Sequence, residues 1–276
     1  MNDRADELLA AVREARETAT PLYILGGDSK RHLLGRECTA QVLDVSAHRG
    51  IVDYQPAELV LTALAGTPIC ELVDALAARG QELPFDPPQF DGRATLGGTL
   101  ACNLSGPGRP WSGSVRDMVL GVQLINGRGE LLNFGGQVMK NVAGYDIARL
   151  QAGALGTLGL ISRISLKVLP RPEHSLTLVQ ELDASRALTV MNRLGGQAKP
   201  LSAACWFGGR LYLRLSGAAA AVKHTATSWG GEQLGEGAGP WAALREMQLP
   251  FFQGDAPLWR LSQRSTAPLP GGEDNC

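Results

Sequence analysis

The sequence is short of several things, and each shortage excludes a class of protein. It has four histidines, five cysteines with no C-x-x-C pair, and aromatic residues at only 5%. Cysteines at Cys38, Cys70, Cys102, Cys205 and Cys276 are odd in number and unpaired in spacing, so they mark neither a disulfide framework nor a zinc site. Acidic and basic residues nearly cancel, 27 against 26, which excludes the basic face that a nucleic-acid backbone requires. No apolar run approaches 18 residues: the uncharged stretch Leu59 to Cys70 contains Thr62, Gly66, Thr67 and Pro68, so no transmembrane segment is expected. The polar start Met1-Asn2-Asp3-Arg4 lacks a signal-peptide pattern, and with free thiols the expectation is a cytoplasmic protein. What remains is ordinary globular usage, 44% hydrophobic and 19% charged over 276 residues. A chain of that length buries roughly 75% of its unfolded surface and needs neither disulfide nor structural metal.

Glycine is the exception to this modesty. There are 34, about 12% against a typical ~7%, and 15 of them lie between Gly92 and Gly159. Without a triplet period they are not collagen-like. They suit either tight turns in a β-rich fold or a backbone cradle closely approached by a large ligand.

Hydrophobic periodicity predicts a helix over residues 3–18, then a strand Leu22–Leu25 running into Gly26-Gly27-Asp28-Ser29-Lys30. Strands follow at Gln41–Asp44 and Glu58–Ala63. Thr67-Pro68 reads as N-cap and N1 of a helix carrying Ile69, Leu72, Val73 and Leu76, with Gly80 beyond its end. Pro84-Phe85-Asp86-Pro87-Pro88 must be irregular. A helix is expected to start within Thr95–Asn103, and strands Val119–Ile125 and Leu131–Phe134 are joined by a glycine-bearing hairpin. Another helix fits Ile147–Leu155. Alternation of Ile164, Leu166 and Val168 with Arg163, Ser165 and Lys167 predicts a half-buried strand. Prolines at 170 and 172 mark the domain boundary. Beyond it, strands at Ser175–Glu181, Ala203–Phe207, Leu211–Leu215 and Leu258–Leu261, with helices Ala184–Leu194 and Ala218–Trp229, give a βαββαβ order suggesting a ferredoxin-like sandwich. A further helix fits Trp241–Met247, and Pro268–Cys276 reads as a frayed tail.

The loop Gly26–Lys30 is a candidate anion cradle, because successive backbone N–H groups in a turn form a concavity for phosphate oxygens. It has neither Walker A nor G-x-G-x-x-G spacing. Three ordered glycine motifs, however, carry a resemblance: Leu25-Gly26-Gly27-Asp28-Ser29-Lys30, Thr95-Leu96-Gly97-Gly98-Thr99-Leu100-Ala101-Cys102-Asn103, and Lys140 with Gly144-Tyr145-Asp146-Ile147 leading to Gly156-Thr157-Leu158-Gly159-Leu160-Ile161-Ser162. Over residues 20–170 the chain resembles the FAD-binding fold shared by vanillyl-alcohol oxidase, p-cresol methylhydroxylase and the D-2-hydroxyacid dehydrogenases. Pro84–Pro88, Asn103–Pro107 and Val138–Asp146 make it most similar to the FAD-binding subunits of bacterial glycolate oxidases.

The resemblance implies an α+β chain: a two-subdomain p-cresol methylhydroxylase-type FAD-binding domain over residues 1–172, followed by a ferredoxin-like cap over residues 173–276. It implies non-covalent FAD held by Gly26, Gly27, Asp28, Ser29, Lys30, Thr95, Gly97, Gly98, Ala101, Gly159 and Ile161. It also implies a catalytic flavin subunit and an iron–sulfur subunit as partners, with any membrane association peripheral and through that complex. Two departures bear on catalysis. Gly153-Ala154-Leu155-Gly156 replaces a G-S-E-G pattern, and His32, His48, His174 and His224 form no histidine cluster, so neither catalytic nor metal residues are assigned. The expected function is an accessory FAD subunit of a glycolate-oxidising complex; the alternatives are a self-sufficient hydroxyacid dehydrogenase and a non-enzymatic scaffold. Trp206, Phe207, Trp229 and Trp241 suit either a docking surface or core packing.

FMN has no pyrophosphate for a phosphate cradle, and Gly26–Lys30 offers no His, Cys or Tyr for covalent attachment. The purified protein is therefore expected to be yellow and to release FAD into the supernatant on acid precipitation. Stoichiometric FMN, or colour retained in the pellet, would contradict this.

Overall fold

The structure, a computed structural model, describes residues 1–33, 39–136, 144–235, 237, 239–254 and 258–267. Lys140 and the rest of Val138–Ala143 in the expected motif, and the tail Pro268–Cys276, lie outside the described residues. The chain forms two compact units, one of Met1–Ser105 with Gly113–Arg171 and one of Gly106–Ser112 with the residues from Pro172 onward. The expected continuous first domain is thus interrupted by Gly106–Ser112.

In chain order the first unit contains α1 (Ala5–Glu17), β1 (Leu22–Leu25), β2 (Gln41–Asp44), β3 (Ile51–Gln55), β4 (Val60–Leu64), α2 (Ile69–Ala77), β5 (Gln81–Glu82) and α3 (Leu96–Cys102). After α4 (Arg109–Ser112), which belongs to the second unit, come α5 (Val115–Met118), β6 (Val119–Ile125), β7 (Leu131–Gly135), α6 (Ile147–Leu150), β8 (Leu160–Lys167) and β9 (Leu169–Pro170). Its main sheet is antiparallel, in the order β3-β4-β8-β6-β7, beside a parallel β1-β2 pair and a short β5-β9 pair. Leu61, Ile69, Leu72, Leu76, Phe85, Leu96 and Leu100 are fully buried in its larger core. A smaller core joins Leu8 and Val12 of α1 to Val45, Ile125 and Leu160.

Alternation misjudged β8. Expected to be half-buried, it is covered on both faces because its serines are satisfied inside the protein. Ser165 Oγ lies 2.8 Å from Thr62 Oγ1, and Ser162 is 0% exposed beside His48. Buried hydroxyls with partners cost little, so a polar residue in a strand need not face water. Thr67 is likewise not the N-cap of α2, which starts after Pro68. Its hydroxyl instead donates to Leu64 O and accepts from Gly50 N. The helix expected over Ile147–Leu155 stops at Leu150, since Gly153 (φ +85°) and Leu155 (φ +52°) leave the helical region. Strand β3, which pairs with β4, was not anticipated.

The second unit continues with β10 (His174–Glu181), α7 (Ala184–Gly195), β11 (Leu201–Phe207), β12 (Arg210–Gly217), α8 (Ala219–Trp229), β13 (Glu232–Leu234) and α9 (Trp241–Arg245). Its sheet is antiparallel in the order β11-β12-β10-β13. Leu176, Leu178, Leu211, Leu213 and Leu215 pack one sheet face against Ala187 and Leu194 of α7 and Val222 and Ala226 of α8. The fourth strand is Glu232–Leu234, not the expected Leu258–Leu261, whose Leu258, Trp259 and Leu261 are exposed. Trp241 is buried and donates to Thr177 Oγ1 at 2.8 Å, Trp206 donates to Leu182 O, and Trp206 and Trp229 pack against the core. Three of the four aromatics considered for docking therefore do core work. Gly108 brings the inserted Gly106–Ser112 segment against β12: a Cβ on it would meet Arg214 Nη2 at 2.9 Å.

His48, 1% exposed, pins the N-terminus to β8. Its Nδ1 accepts from Arg4 N at 2.9 Å and its Nε2 donates to Ser162 at 2.9–3.0 Å, which requires the neutral Nε2–H tautomer. Burial pushes its pKa down from the ordinary histidine value, with Asp3 only partly opposing. A folded pKa below the unfolded one means the unfolded chain binds the extra proton, so this contribution is present above pH ~6.5 and is lost as pH falls below it. Urea midpoints of the wild type should drop between pH 7.5 and 5.5 by more than those of His48→Gln. Equal drops would remove His48 as the cause.

Candidate cofactor cleft

The three glycine motifs meet in one cleft of the first unit, about 180 Å³ in volume. All eleven residues expected at the site line it: Gly26, Gly27, Asp28, Ser29, Lys30, Thr95, Gly97, Gly98, Ala101, Gly159 and Ile161. Strand β1 delivers the first loop, α3 the second segment and the start of β8 the third. Backbone hydrogen bonds fix their meeting: Ala65, following β4, donates to Ser162 O of β8 at 2.8 Å and accepts from Gly97 N of α3 at 2.7 Å.

Close approach explains two of the glycines. A Cβ on Gly27 would lie 1.5 Å from Arg93 O, and on Gly159, at φ +144°, 2.7 Å from Ile125 O. Gly98 is different. It sits in the first turn of α3 without a positive φ, and a Cβ there would meet only Thr95 Oγ1, at 3.1 Å. Gly98 therefore needs no left-handed backbone; what a side chain at this cleft-lining position would take up is cleft space.

The first two glycine segments are also unequal as sources of donors. At α3 the N–H groups are already engaged: Leu96 donates to Thr67 O, Gly97 to Ala65 O and Gly98 to Thr95 Oγ1. In the first loop, among the described residues, the N–H groups of Gly27, Asp28 and Ser29 have no acceptor within the chain. Ser29 and Lys30 are 4% and 5% exposed, with Lys30 Nζ 3.3 Å from Ser29 Oγ and 5.4 Å from the centre of the Phe90 ring. Three consecutive donors beside a buried cation fit the diphosphate of a dinucleotide. The loop supplies that set, and the N-terminus of α3 supplies walls.

Several cleft residues were not among those expected at the site: Tyr23, Arg31, Val45 and Ala65, and also Leu155 and Gly156, which the motifs contained without a binding role. Arg31 Nε donates to Asp28 Oδ1 at 3.0 Å, and its guanidinium lies over the Tyr23 ring, 4.8 Å from the centre. The i, i+3 spacing of Asp28 and Arg31 was the available signal. Cys102 also lines the cleft, and burial raises its thiol pKa, with Lys30 opposing. It stays protonated at neutral pH, unsuited to nucleophilic attachment. Among the described residues no group of three or more His, Cys, Asp or Glu is placed to hold a metal.

Fold and cleft together define an FAD-binding domain of the kind found in flavin-dependent oxidoreductases. The family model "FAD binding domain" matches residues 3–135. The chain also superimposes on an alkyldihydroxyacetonephosphate synthase with a TM-score of 0.68 at 17% identity, over 91% of this chain and 53% of that one. It is 49% identical to glycolate oxidase subunit GlcE of Escherichia coli over 97% of its own length and 75% of that protein. It is 29% identical to glycolate oxidase subunit GlcD of Bacillus subtilis over 71% of its length and 42% of that protein. The chain belongs to the family of glycolate oxidase subunit GlcE.

Two glycine variants separate the roles of the cleft walls. Gly27→Ala forces a carbon into a carbonyl oxygen and should cost about 3 kcal/mol or more of stability. Gly98→Val should leave a cooperative fold, weakened by less than about 1 kcal/mol, but should not retain FAD. Thermal melts with flavin content of the purified proteins check both; a Gly98→Val protein with full flavin would show that the space beside α3 is not used.

Proposed function

We propose that the chain is the FAD-binding accessory subunit of a complex that oxidises glycolate to glyoxylate, and that its partners are a catalytic flavin subunit and an iron–sulfur subunit. Membership in the GlcE family carries this reading. Gly26–Lys30 hold the cofactor diphosphate through the N–H groups of Gly27, Asp28 and Ser29 and the Lys30 ammonium; Thr95, Gly97, Gly98, Ala101, Gly159 and Ile161 shape the surrounding wall. Bound FAD supplies two-electron redox chemistry. The second unit is a ferredoxin-like cap, a reading supported by its βαββαβ order and by a sheet in which the first and third strands are central. The protein works in the cytoplasm, and any membrane contact is through the complex; no helix among the described residues is long and apolar enough to cross a membrane.

The accessory role follows from what the cleft offers a substrate. Oxidising a 2-hydroxy acid requires a base within hydrogen-bond reach of the hydroxyl proton. The carboxylate lining the cleft, Asp28, is engaged by Arg31, the Cys102 thiol stays protonated, and no histidine lines the cleft among the described residues. Among the described residues, none that lines the cleft is placed to take the proton.

Steady-state glycolate oxidation with an artificial acceptor tests this. The chain alone should turn over at least about a hundredfold more slowly than with both partner subunits, the low end of what a positioned base contributes. Comparable turnover by the chain alone would replace the accessory reading with that of a self-sufficient dehydrogenase.

A further inference from the structure

We infer that Arg31 is a positioning residue for the cofactor diphosphate, acting by cancelling the charge of Asp28 rather than by touching the ligand. The inference rests on the proposal that the Gly26–Lys30 loop takes FAD. That loop presents three unsatisfied backbone N–H groups and the buried Lys30 cation, yet it also carries a carboxylate that lines the same cleft. An unpaired carboxylate there would repel a doubly charged diphosphate and offset much of the attraction of Lys30. Asp28 is held in the left-handed region, φ +50°, which fixes the direction in which its Cβ leaves the chain. Arg31 meets it at 3.0 Å through Nε.

The guanidinium is itself fixed. It lies over Tyr23, the second residue of β1 and also a cleft residue, 4.8 Å from the ring centre. With the guanidinium over the ring, Nε donates to the carboxylate at 3.0 Å; a lysine ammonium does not reproduce that directed bond, although it reproduces the charge. As a contributor to stability this half-exposed pair is worth little. Its weight falls on the ligand, because it converts a loop of mixed sign into one of net positive charge where an anion must settle.

FAD titration of the full chain stripped of flavin, followed by flavin fluorescence, tests the assignment on four proteins. Arg31→Gln should weaken FAD binding roughly tenfold, the scale of one uncompensated like charge near a partly exposed anion. Asp28→Asn should bind at least as tightly as the wild type. The double variant Asp28→Asn/Arg31→Gln should return to within about threefold of Asp28→Asn, because the charge to be cancelled is gone. Unchanged binding by Arg31→Gln, or a double variant as weak as Arg31→Gln, would overturn the inference; the second result would mean that Arg31 touches the ligand or only shapes the loop. Should Arg31→Gln fail to fold by circular dichroism, Arg31→Lys decides: affinity within about threefold of wild type is expected, and a tenfold loss in a folded Arg31→Lys protein would overturn it. A wild-type chain that takes up no FAD would instead refute the cofactor proposal.

Discussion

Both backbone groups of Ala65 are committed across the molecule, and the cleft exists because of it. Its N–H reaches Ser162 at the start of β8 and its C=O receives Gly97 at the start of α3. Residues 97 and 162 stand far apart in sequence, and a single peptide plane on each side of Ala65 brings their segments within one wall. The contact tolerates no bulk: a Cβ on Gly97 would sit 2.8 Å from the Ala65 Cβ. Glycine at 97 and alanine at 65 are therefore a matched pair, set by interior packing density rather than by the ligand.

From that junction the electrostatics of the site become simple. The α3 segment spends its first N–H groups on Thr67, Ala65 and Thr95, so it gives shape and no unused donor. The first loop, emerging from the end of β1, is left with donors and a buried cation. A protein of net charge −1 thus places three backbone donors beside one buried lysine. The one lysine inside the fold, 5% exposed, acts strongly there because burial raises the effect of its charge.

Much of this was legible in the residues. The strand Leu22–Leu25 ends where expected, and Thr95 caps the glycine-bearing start of α3. These signals are local, and local signals survive folding. What failed depended on partners far along the chain. Ser165 looked like a solvent-facing residue until Thr62 was placed against it. Edge strand Glu232–Leu234 carries too few apolar residues to announce itself, whereas Leu258–Leu261 has the composition of a strand and no place in the sheet. The Gly97–Gly98 pair was expected to hold cofactor, but sequence shows glycines and not which N–H groups are already taken. Arg31 went unnoticed although its i, i+3 spacing from Asp28 stands in the sequence, because spacing alone does not show that the two side chains meet over the cleft.

The insertion of Gly106–Ser112 into the second unit has a consequence for how such a chain can be rearranged. The backbone passes between the units at Ser105/Gly106, at Ser112/Gly113 and at Arg171/Pro172, so neither unit is a contiguous stretch of gene. A recombination event or a protease cut at the Pro172 junction would separate the strands of the second unit from α4, which they were built to receive. Modules joined once can be traded between proteins; a pair stitched three times is inherited as a whole.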